Sequence, residues 1–444
     1  MRVLFINPPY PGLYQKLGFK IPPLGLAYIA AILEKKGFKS HIMDLNLVKE
    51  KIDVKNYDAI GISTLTPTIK RAIEIAKQIK SIDDEIPIVM GGPHATIMDK
   101  QVLETGFVDF VVRGEGEYTF LYLLEALEGI RDFKSVDGIS YMEGERYIRN
   151  NDSEFIEDLD NLPFPARHLL KLKKYTKHTT TMISSRGCPF SCSFCTTPKI
   201  SGRKWRARSP KNVVDEMLEI KERFGFENIS FVDDNFTLDP SRVIEICEEI
   251  ERRKIDISWG CESRVDTIVN NPSMVKKMAN AGCNIVFLGV ESANQKVLDD
   301  YDKKIDVNQI QNAFRILRES DIEIWASFII GNPDEDKEMI ENTIEFAKNL
   351  DPDVAQFSIL TPYPGTLLYE KVKEMITRKD FDFYDGLHAV MRTKFLKPKE
   401  IEEMLRKAYK KFYLRPKKIL RGAIEIYGDF IRTLDFKISD LSQT

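Results

Sequence analysis

Short apolar runs of strand type alternate along most of the chain with stretches whose apolar residues return every three or four positions. The first run, R-V-L-F-I-N at 2–7, stops at Pro8 and Pro9, which cannot continue a hydrogen-bonded ladder. Apolar residues over 23–36 then recur at helical spacing, Gly37 stands where a C-terminal cap would, and 39–45 predicts another strand, which completes one β-α-β unit. Strand 59–62, helix 68–82, strands 86–90 and 107–112 and helix 119–127 continue the alternation and imply a parallel sheet wrapped by helices. Ligands of such sheets sit beyond the carboxyl ends of the strands, so the loops that matter are 7–10, 63–66, 91–96 and 113–117. Gly91, Gly92, Gly114 and Gly116 there either let backbone approach a bulky ligand or serve as turn glycines at positive φ.

Residues 131–178 read as a connector, with a hairpin around Glu143-Gly144-Glu145 and two prolines, Pro163 and Pro165, near its end. Alternation resumes with strands near 180–185, 228–233, 256–261, 284–290, 322–330 and 353–360. Helices fit near 210–224, 240–254, 272–281, 306–320, 336–349 and 366–376. Six βα units predict an open, incomplete version of the ~250-residue β/α barrel, with its chemistry at the strand C-termini. The tail starts with an aromatic stretch (Phe381, Phe383, Tyr384) and turns helical from Pro398. Lys410, Lys411, Arg415, Lys417, Lys418 and Arg421, interleaved with Phe412 and Tyr413, form its basic cluster. That cluster is either a solvated helical face or a docking surface for an anionic or membrane-bound substrate.

The 444 residues are 43% hydrophobic and 30% charged, which fits a multidomain globular protein and excludes disorder or a disulfide scaffold. Sixty-five Lys and Arg against 68 Asp and Glu give a net charge of -3, so no global field argues for a nucleic-acid partner. The longest apolar stretch, 22–33, falls short of the roughly 20 residues that span a bilayer, and the N-terminus carries no signal-peptide pattern, so a cytoplasmic protein is expected. Six cysteines, three of them crowded into eight residues, suit a reducing compartment and a metal centre.

Those three lie in C-P-F-S-C-S-F-C, with Cys188, Cys192 and Cys195 on the loop after the first barrel strand. Thiolates suit zinc or iron-sulfur clusters, and three so close together reach one centre without help from distant chain. A structural zinc site or an ordinary electron-transfer cluster takes four protein ligands, whereas Cys247, Cys261 and Cys283 fall one each in different units. A three-thiolate 4Fe-4S cluster leaves one iron open to a substrate or cofactor.

The spacing C-x-x-x-C-x-x-C, with the aromatic Phe194 before the last cysteine, resembles the radical S-adenosylmethionine (SAM) superfamily. The resemblance implies that the open iron binds the amino and carboxylate groups of SAM. One electron from the cluster then cleaves SAM to methionine and a 5'-deoxyadenosyl radical, which abstracts hydrogen from unactivated carbon. By position, Asp234 in V-D-D-N is expected to receive the SAM amino group, Arg264 in C-E-S-R its carboxylate, and Glu291 in G-V-E-S the ribose hydroxyls. Arg264 and Glu291 are equally compatible with structural ion pairing inside the barrel. Ser327 to Asn332, with Gly331, resembles the strand that supports adenine, so Phe194, Ser327 and Gly331 complete the expected SAM contacts.

A parallel α/β domain ahead of such a barrel resembles the cobalamin-binding group of these enzymes, whose N-P-P, S-T-L-T, M-G-G-P-H and R-G-E-G-E are matched here. The implied corrinoid contacts are Ser63, Thr64, Gly91, Gly92, His94, Gly114, Glu115 and Glu117. The D-x-H-x-x-G motif that supplies a histidine to cobalt in many cobalamin proteins is absent, and neither His41 nor His94 fits it. The implied fold class is α/β: an N-terminal Rossmann-like cobalamin-binding domain (1–130), a linker with a hairpin (131–178), a partial (βα)6 radical SAM barrel (179–378) and a C-terminal α-helical segment (379–444). Cobalamin-dependent methylation of an unactivated carbon is the implied reaction, with one SAM supplying the methyl group and a second making the substrate radical. Radical carbon-carbon coupling or cyclisation without methyl transfer is the alternative. A methylthiotransferase fits less well, because the first domain has no second set of three cysteines. The resemblance implies a small-molecule or lipid substrate and an external electron donor such as ferredoxin or flavodoxin; the charge balance argues for no nucleic-acid partner, and the basic tail offers peripheral membrane contact.

Overall fold

A computed structural model describes residues 1–10, 20–47, 52–175, 178–416 and 418. Strands β1 (Arg2–Asn7), β2 (Lys39–Asp44), β3 (Ala59–Ser63), β4 (Ile88–Gly91) and β5 (Phe110–Val112) run parallel in the order 2-1-3-4-5. The hairpin expected in the connector is β6 (Ile139–Glu143) with β7 (Arg146–Arg149), and it adds two antiparallel strands at the β5 edge. Residues Val3 to Ile6 are all buried because helices cover both faces of the sheet. Val3 and Phe5 pack with Leu26, Ala30, Leu33, Phe120 and Leu124 of helices Leu24–Lys35 and Gly116–Leu127. Leu4 and Ile6 pack on the other face with Ile69, Ala72, Ile75 and Ile79 of helix Ile69–Lys80. The strand order reverses between β1 and β3, so their C-terminal ends open the crevice in which doubly wound sheets hold ligands.

After β8 (Thr179–Met182), two-residue strands β9 (Ser185–Arg186) and β10 (Arg206–Ala207) pair antiparallel and enclose the cysteine loop. Strands β11 (Asn228–Phe231), β12 (Ser258–Ser263), β13 (Cys283–Glu291), β14 (Glu323–Ile330) and β15 (Val354–Ile359) then line up beside β8 in chain order, all parallel. This is the open half-barrel expected from six βα repeats.

An open barrel leaves β15 as an edge whose backbone groups need partners. Helix Pro398–Tyr413 supplies them. Tyr409 and Tyr413 stand one turn apart, a spacing that matches alternate residues of a strand. The Tyr409 hydroxyl donates to the Phe357 carbonyl at 2.8 Å and accepts its N–H at 3.1 Å, while Tyr413 does the same for Ala355 at 2.8 and 3.0 Å. The described part of the basic cluster is therefore not a free cationic face. Phe412 and Tyr413 are buried against the barrel, Lys411 pairs with Glu341 and Glu345 at 3.1 and 2.8 Å, and Arg415 pairs with Asp351 at 2.9 Å. Lys418 bonds the carbonyls of Pro352 and Asp353. Lys417 and Arg421 lie outside the described residues. No helix of the described residues is long and apolar enough to cross a membrane.

Candidate active site

The three cysteines sit on a loop fixed at many points. Gly187, at φ +84°, starts it where an added Cβ would run into the Lys204 carbonyl. The Gly187 N–H donates to Asp234 Oδ2 at 2.9 Å and the Thr197 hydroxyl to Asp234 Oδ1 at 2.8 Å, so one carboxylate holds the loop before Cys188 and after Cys195. Ser191 donates to Asp302 at 2.9 Å, Ser193 to the Asp300 carbonyl at 3.0 Å, and the Leu368 N–H to the Ser193 carbonyl at 2.9 Å. Phe194 meets Tyr301 edge-on at 5.0 Å. Cys188, Cys192 and Cys195 are free and half-buried. Burial pushes the Cys188 and Cys195 thiols up, and the thiolate of Cys192 pushes both further, which marks the sulfurs as near neighbours. Among the described residues no three His, Cys, Asp or Glu side chains are set to share a single metal ion. A 4Fe-4S cluster asks for a different arrangement, one thiolate on each of three irons.

The barrel mouth departs from the positional expectations in detail. Asp234, expected to receive the SAM amino group, braces the loop. Arg264 lies 3.7 Å from the centre of the Phe190 ring, inside the cysteine motif, and pairs with Asp266 at 2.9 Å while donating to the Lys303 carbonyl at 2.6 Å. Glu291 stands at φ +68° at the end of β13 and divides its oxygens between Lys303 Nζ at 2.6 Å and the Ser327 hydroxyl at 3.0 Å. Both residues are thus in ion pairs, each with its own partner rather than with the other. The Gly331 N–H is taken by Glu335 at 2.7 Å. Sequence reasoning passed over Asn235 and Glu262. The Asn235 amide is buried with neither end hydrogen-bonded, and the Glu262 carboxyl at the end of β12 has no partner among the described residues. Burial, with Asp234 and Asp233 nearby, pushes Glu262 up to about 8, so it is largely protonated at neutral pH.

A cavity of about 710 Å³ lies where the C-terminal ends of the two sheets face each other. All four loops picked from the sequence reach it, through Asn7 and Tyr10, Ser63 and Leu65, Gly91 and Gly92, and Gly114 to Glu117. The barrel contributes Ser185, Arg186 and Asp234. Thr64 and His94 do not border it. The Thr64 hydroxyl bonds the Gly91 carbonyl at 2.8 Å and the Ala95 N–H at 3.2 Å, which makes it a brace between loops. His94 is buried against Phe381, 3.3 Å from the Thr66 hydroxyl, and burial pulls it down to about 4, so it is neutral.

Comparisons with known proteins agree with this geometry. The Radical SAM superfamily profile matches residues 182–347, and the B12 binding domain profile matches residues 11–124. An uncharacterized methyltransferase of Pyrococcus horikoshii is 36% identical over 97% of this chain and 96% of its own. The chain belongs to the radical SAM superfamily. Its barrel follows a B12-binding domain, and the protein is an enzyme of the cobalamin-binding group with a 4Fe-4S cluster, SAM and cobalamin as cofactors. The anaerobic magnesium-protoporphyrin IX monomethyl ester cyclase of Rubrivivax gelatinosus is 32% identical over 93% of this chain and 78% of its own. In fold, this radical SAM enzyme is similar to the radical SAM methyltransferase TsrM from Kitasatospora setae, solved with cobalamin and a 4Fe-4S cluster, at a TM-score of 0.72 and 19% identity over 85% of this chain and 79% of that one.

The residues present fit these groups. Three free thiols close together suit a cluster with one open iron. The buried Asn235 amide and the Glu262 carboxyl, neither hydrogen-bonded among the described residues, supply polar groups at the ends of β11 and β12. The cavity wall is bare backbone at Gly25, Gly91, Gly92 and Gly114, and at Gly25 an added Cβ would meet nothing within 4 Å, so a flat macrocycle can approach the main chain there. No histidine among the described residues borders the cavity, in keeping with the absent D-x-H-x-x-G motif.

Proposed function

We propose that the protein methylates an unactivated carbon of a small molecule, with cobalamin in the cavity between its sheets and SAM at the cluster beside it. One observation carries this reading: Asp234, which holds both ends of the cysteine loop, also borders the cavity, so the two cofactor sites share a wall. When bound, the cluster supplies the electron that cleaves SAM to the 5'-deoxyadenosyl radical, and cobalamin carries the methyl group. Cys188, Cys192 and Cys195 would each hold one iron of the cluster. Because Asp234 is committed to the loop, the SAM amino group falls to Asn235 and Glu262. Arg264 has Nη1 uncommitted for the SAM carboxylate, and Lys303 and Ser327 fix Glu291 toward the ribose. Phe194, Ser327 and Gly331 flank the adenine end. Ser63, Gly91, Gly92 and Gly114 form the corrinoid cradle. The electron comes from an external acidic donor such as ferredoxin or flavodoxin, and Lys199 and Arg203, exposed and without ion pairs among the described residues, give it a cationic approach next to the cysteine loop. Cyclisation without methyl transfer is the second reading, favoured by the similarity to the Rubrivivax cyclase.

The test is anaerobic reconstitution with iron, sulfide and hydroxocobalamin, followed by gel filtration and metal analysis. The expected result is about four irons and one cobalt per chain and, once a low-potential reductant such as titanium(III) citrate is added to reduce the cobalt, label from methyl-labelled SAM passing to the protein-bound corrinoid. Irons without cobalt would overturn methylation and leave cyclisation or coupling. Gly92→Ala is expected to lose cobalt selectively. At φ +93° an added Cβ would lie 2.7 and 2.9 Å from the Thr64 carbonyl oxygen and nitrogen, and backbone cannot yield as a side chain can. At φ +93° and ψ 179° a side chain costs about 1–3 kcal/mol, and a loop that shifts to relieve it no longer presents its backbone to the corrinoid, so cobalt retention should fall about tenfold with the iron content unchanged.

A further inference from the structure

Glu115 and Glu117, expected to contact the corrinoid, hold arginines of the barrel. Arg186 donates to Glu115 Oε1 at 3.1 Å and to Glu117 Oε1 at 2.5 Å. Arg206 reaches both oxygens of Glu115, at 3.0 and 2.9 Å, and the Ile156 N–H donates to Glu115 Oε2 at 2.7 Å. The side chains of Glu115, Glu117, Arg186 and Arg206 are 8, 5, 14 and 2% exposed. Two cations face two carboxylates, so the network is neutral as a whole and its members satisfy one another out of water.

The positions of the two arginines in the chain give this network its meaning. Arg186 and Arg206 are the paired residues of β9 and β10, and the segment between them is the loop that carries Cys188, Cys192 and Cys195. Both ends of the cluster loop therefore rest on one carboxylate that belongs to the other domain. Glu115 begins the turn into helix Gly116–Leu127, and Glu115, Glu117 and Arg186 all border the large cavity. A shift of the cavity wall thus moves the groups that anchor the cysteine loop, and a shift of the loop moves the wall.

We infer that Glu115 and Glu117 are positioning residues that couple the two cofactor sites, so that a bound cluster tightens corrinoid binding through Arg186 and Arg206, and the reverse. The inference rests on the corrinoid reading of the cavity. A clamp that merely held the domains together would raise stability without making one site sense the other, whereas coupling appears as a ratio of affinities that is the same in both directions.

The test titrates hydroxocobalamin into the full chain, once free of cluster and once anaerobically reconstituted. In the wild type the cluster should tighten binding about tenfold, and in Glu117→Gln and Arg206→Lys the ratio should fall to near one. A wild-type ratio of one, or a tenfold ratio surviving in both variants, overturns the coupling. Should hydroxocobalamin bind neither wild-type form, the corrinoid reading fails and hydrogen exchange of the cluster-loaded chain decides the coupling. Glu117→Gln should then speed amide exchange several-fold in 187–205 as well as in 114–118, and acceleration confined to 114–118 overturns it.

Discussion

Replacing any one of Cys188, Cys192 and Cys195 with alanine should reduce 5'-deoxyadenosine formation to background, while alanine at Cys247, Cys261 or Cys283 should leave it intact. The chain thus carries two sets of three thiols with opposite fates. The first set is half-buried on a loop braced by Asp234, Asp302 and the Leu368 N–H, where each sulfur would take one iron. With two thiolates left, the cluster would lose a third of its protein ligation. The second set comes together in the barrel core, from helix Pro240–Arg252, β12 and β13, at 0, 3 and 4% exposure. There burial pushes the Cys247 thiol up to about 12 and the Cys261 thiol well above its ordinary range, so both stay protonated and act as small apolar side chains. Iron and sulfide content measured beside product separates the sets. A Cys261→Ala protein as poor in iron as Cys195→Ala would sink the assignment.

The same contrast between local spacing and distant partnership decides what could be read from the sequence. The cysteine motif, the six βα repeats and the four cavity loops were legible because each is written in consecutive residues. The predicted barrel strands match the observed ones to within a few residues, since buried parallel strands announce themselves as apolar runs. Strands β9 and β10 escaped because two residues carry no period. Residues of the right chemical type were found where they stand, but not whether they were already spent. Glu115 is taken up by arginines 71 and 91 positions away, and Asp234 by groups 47 and 37 away. Asn235 and Glu262 show the converse, since the lack of a partner leaves no trace in a pattern. The tail's cations looked free for the same reason, their acidic partners lying on helix Lys337–Leu350 and its C-terminal cap.

Glu216→Gln is the substitution expected to cost the most stability. Glu216 is fully buried on helix Pro210–Phe224 and receives Arg167 Nη1 on one oxygen and Arg208 Nη1 on the other. Arg167 belongs to the connector and also bonds the Thr181 carbonyl of β8 at 2.9 Å, while Arg208 follows β10 and bonds the Ile183 carbonyl at 2.8 Å. One carboxylate therefore fastens the connector, the first barrel strand and the return of the cysteine loop. Removing its charge leaves two buried guanidinium groups without a counter-ion, and breaking such a pair costs about 3–5 kcal/mol. Glu249→Gln, which removes the charge beside exposed Arg252 while Arg253 keeps its pair with Asp215, should leave unfolding almost where it was. The pH dependence has a definite sign. Burial raises the Glu216 carboxyl, but Arg167 and then Arg208 outweigh it and hold the group below the ordinary carboxylate range. Its contribution is thus fully present above about pH 4.3, the unfolded value, and is lost as the pH falls through the lower folded value. Denaturant unfolding should separate wild type from Glu216→Gln by the full amount at neutral pH and bring the two together in acid. A gap that stayed constant down to pH 2 would mean that the network holds the fold by shape and not by charge.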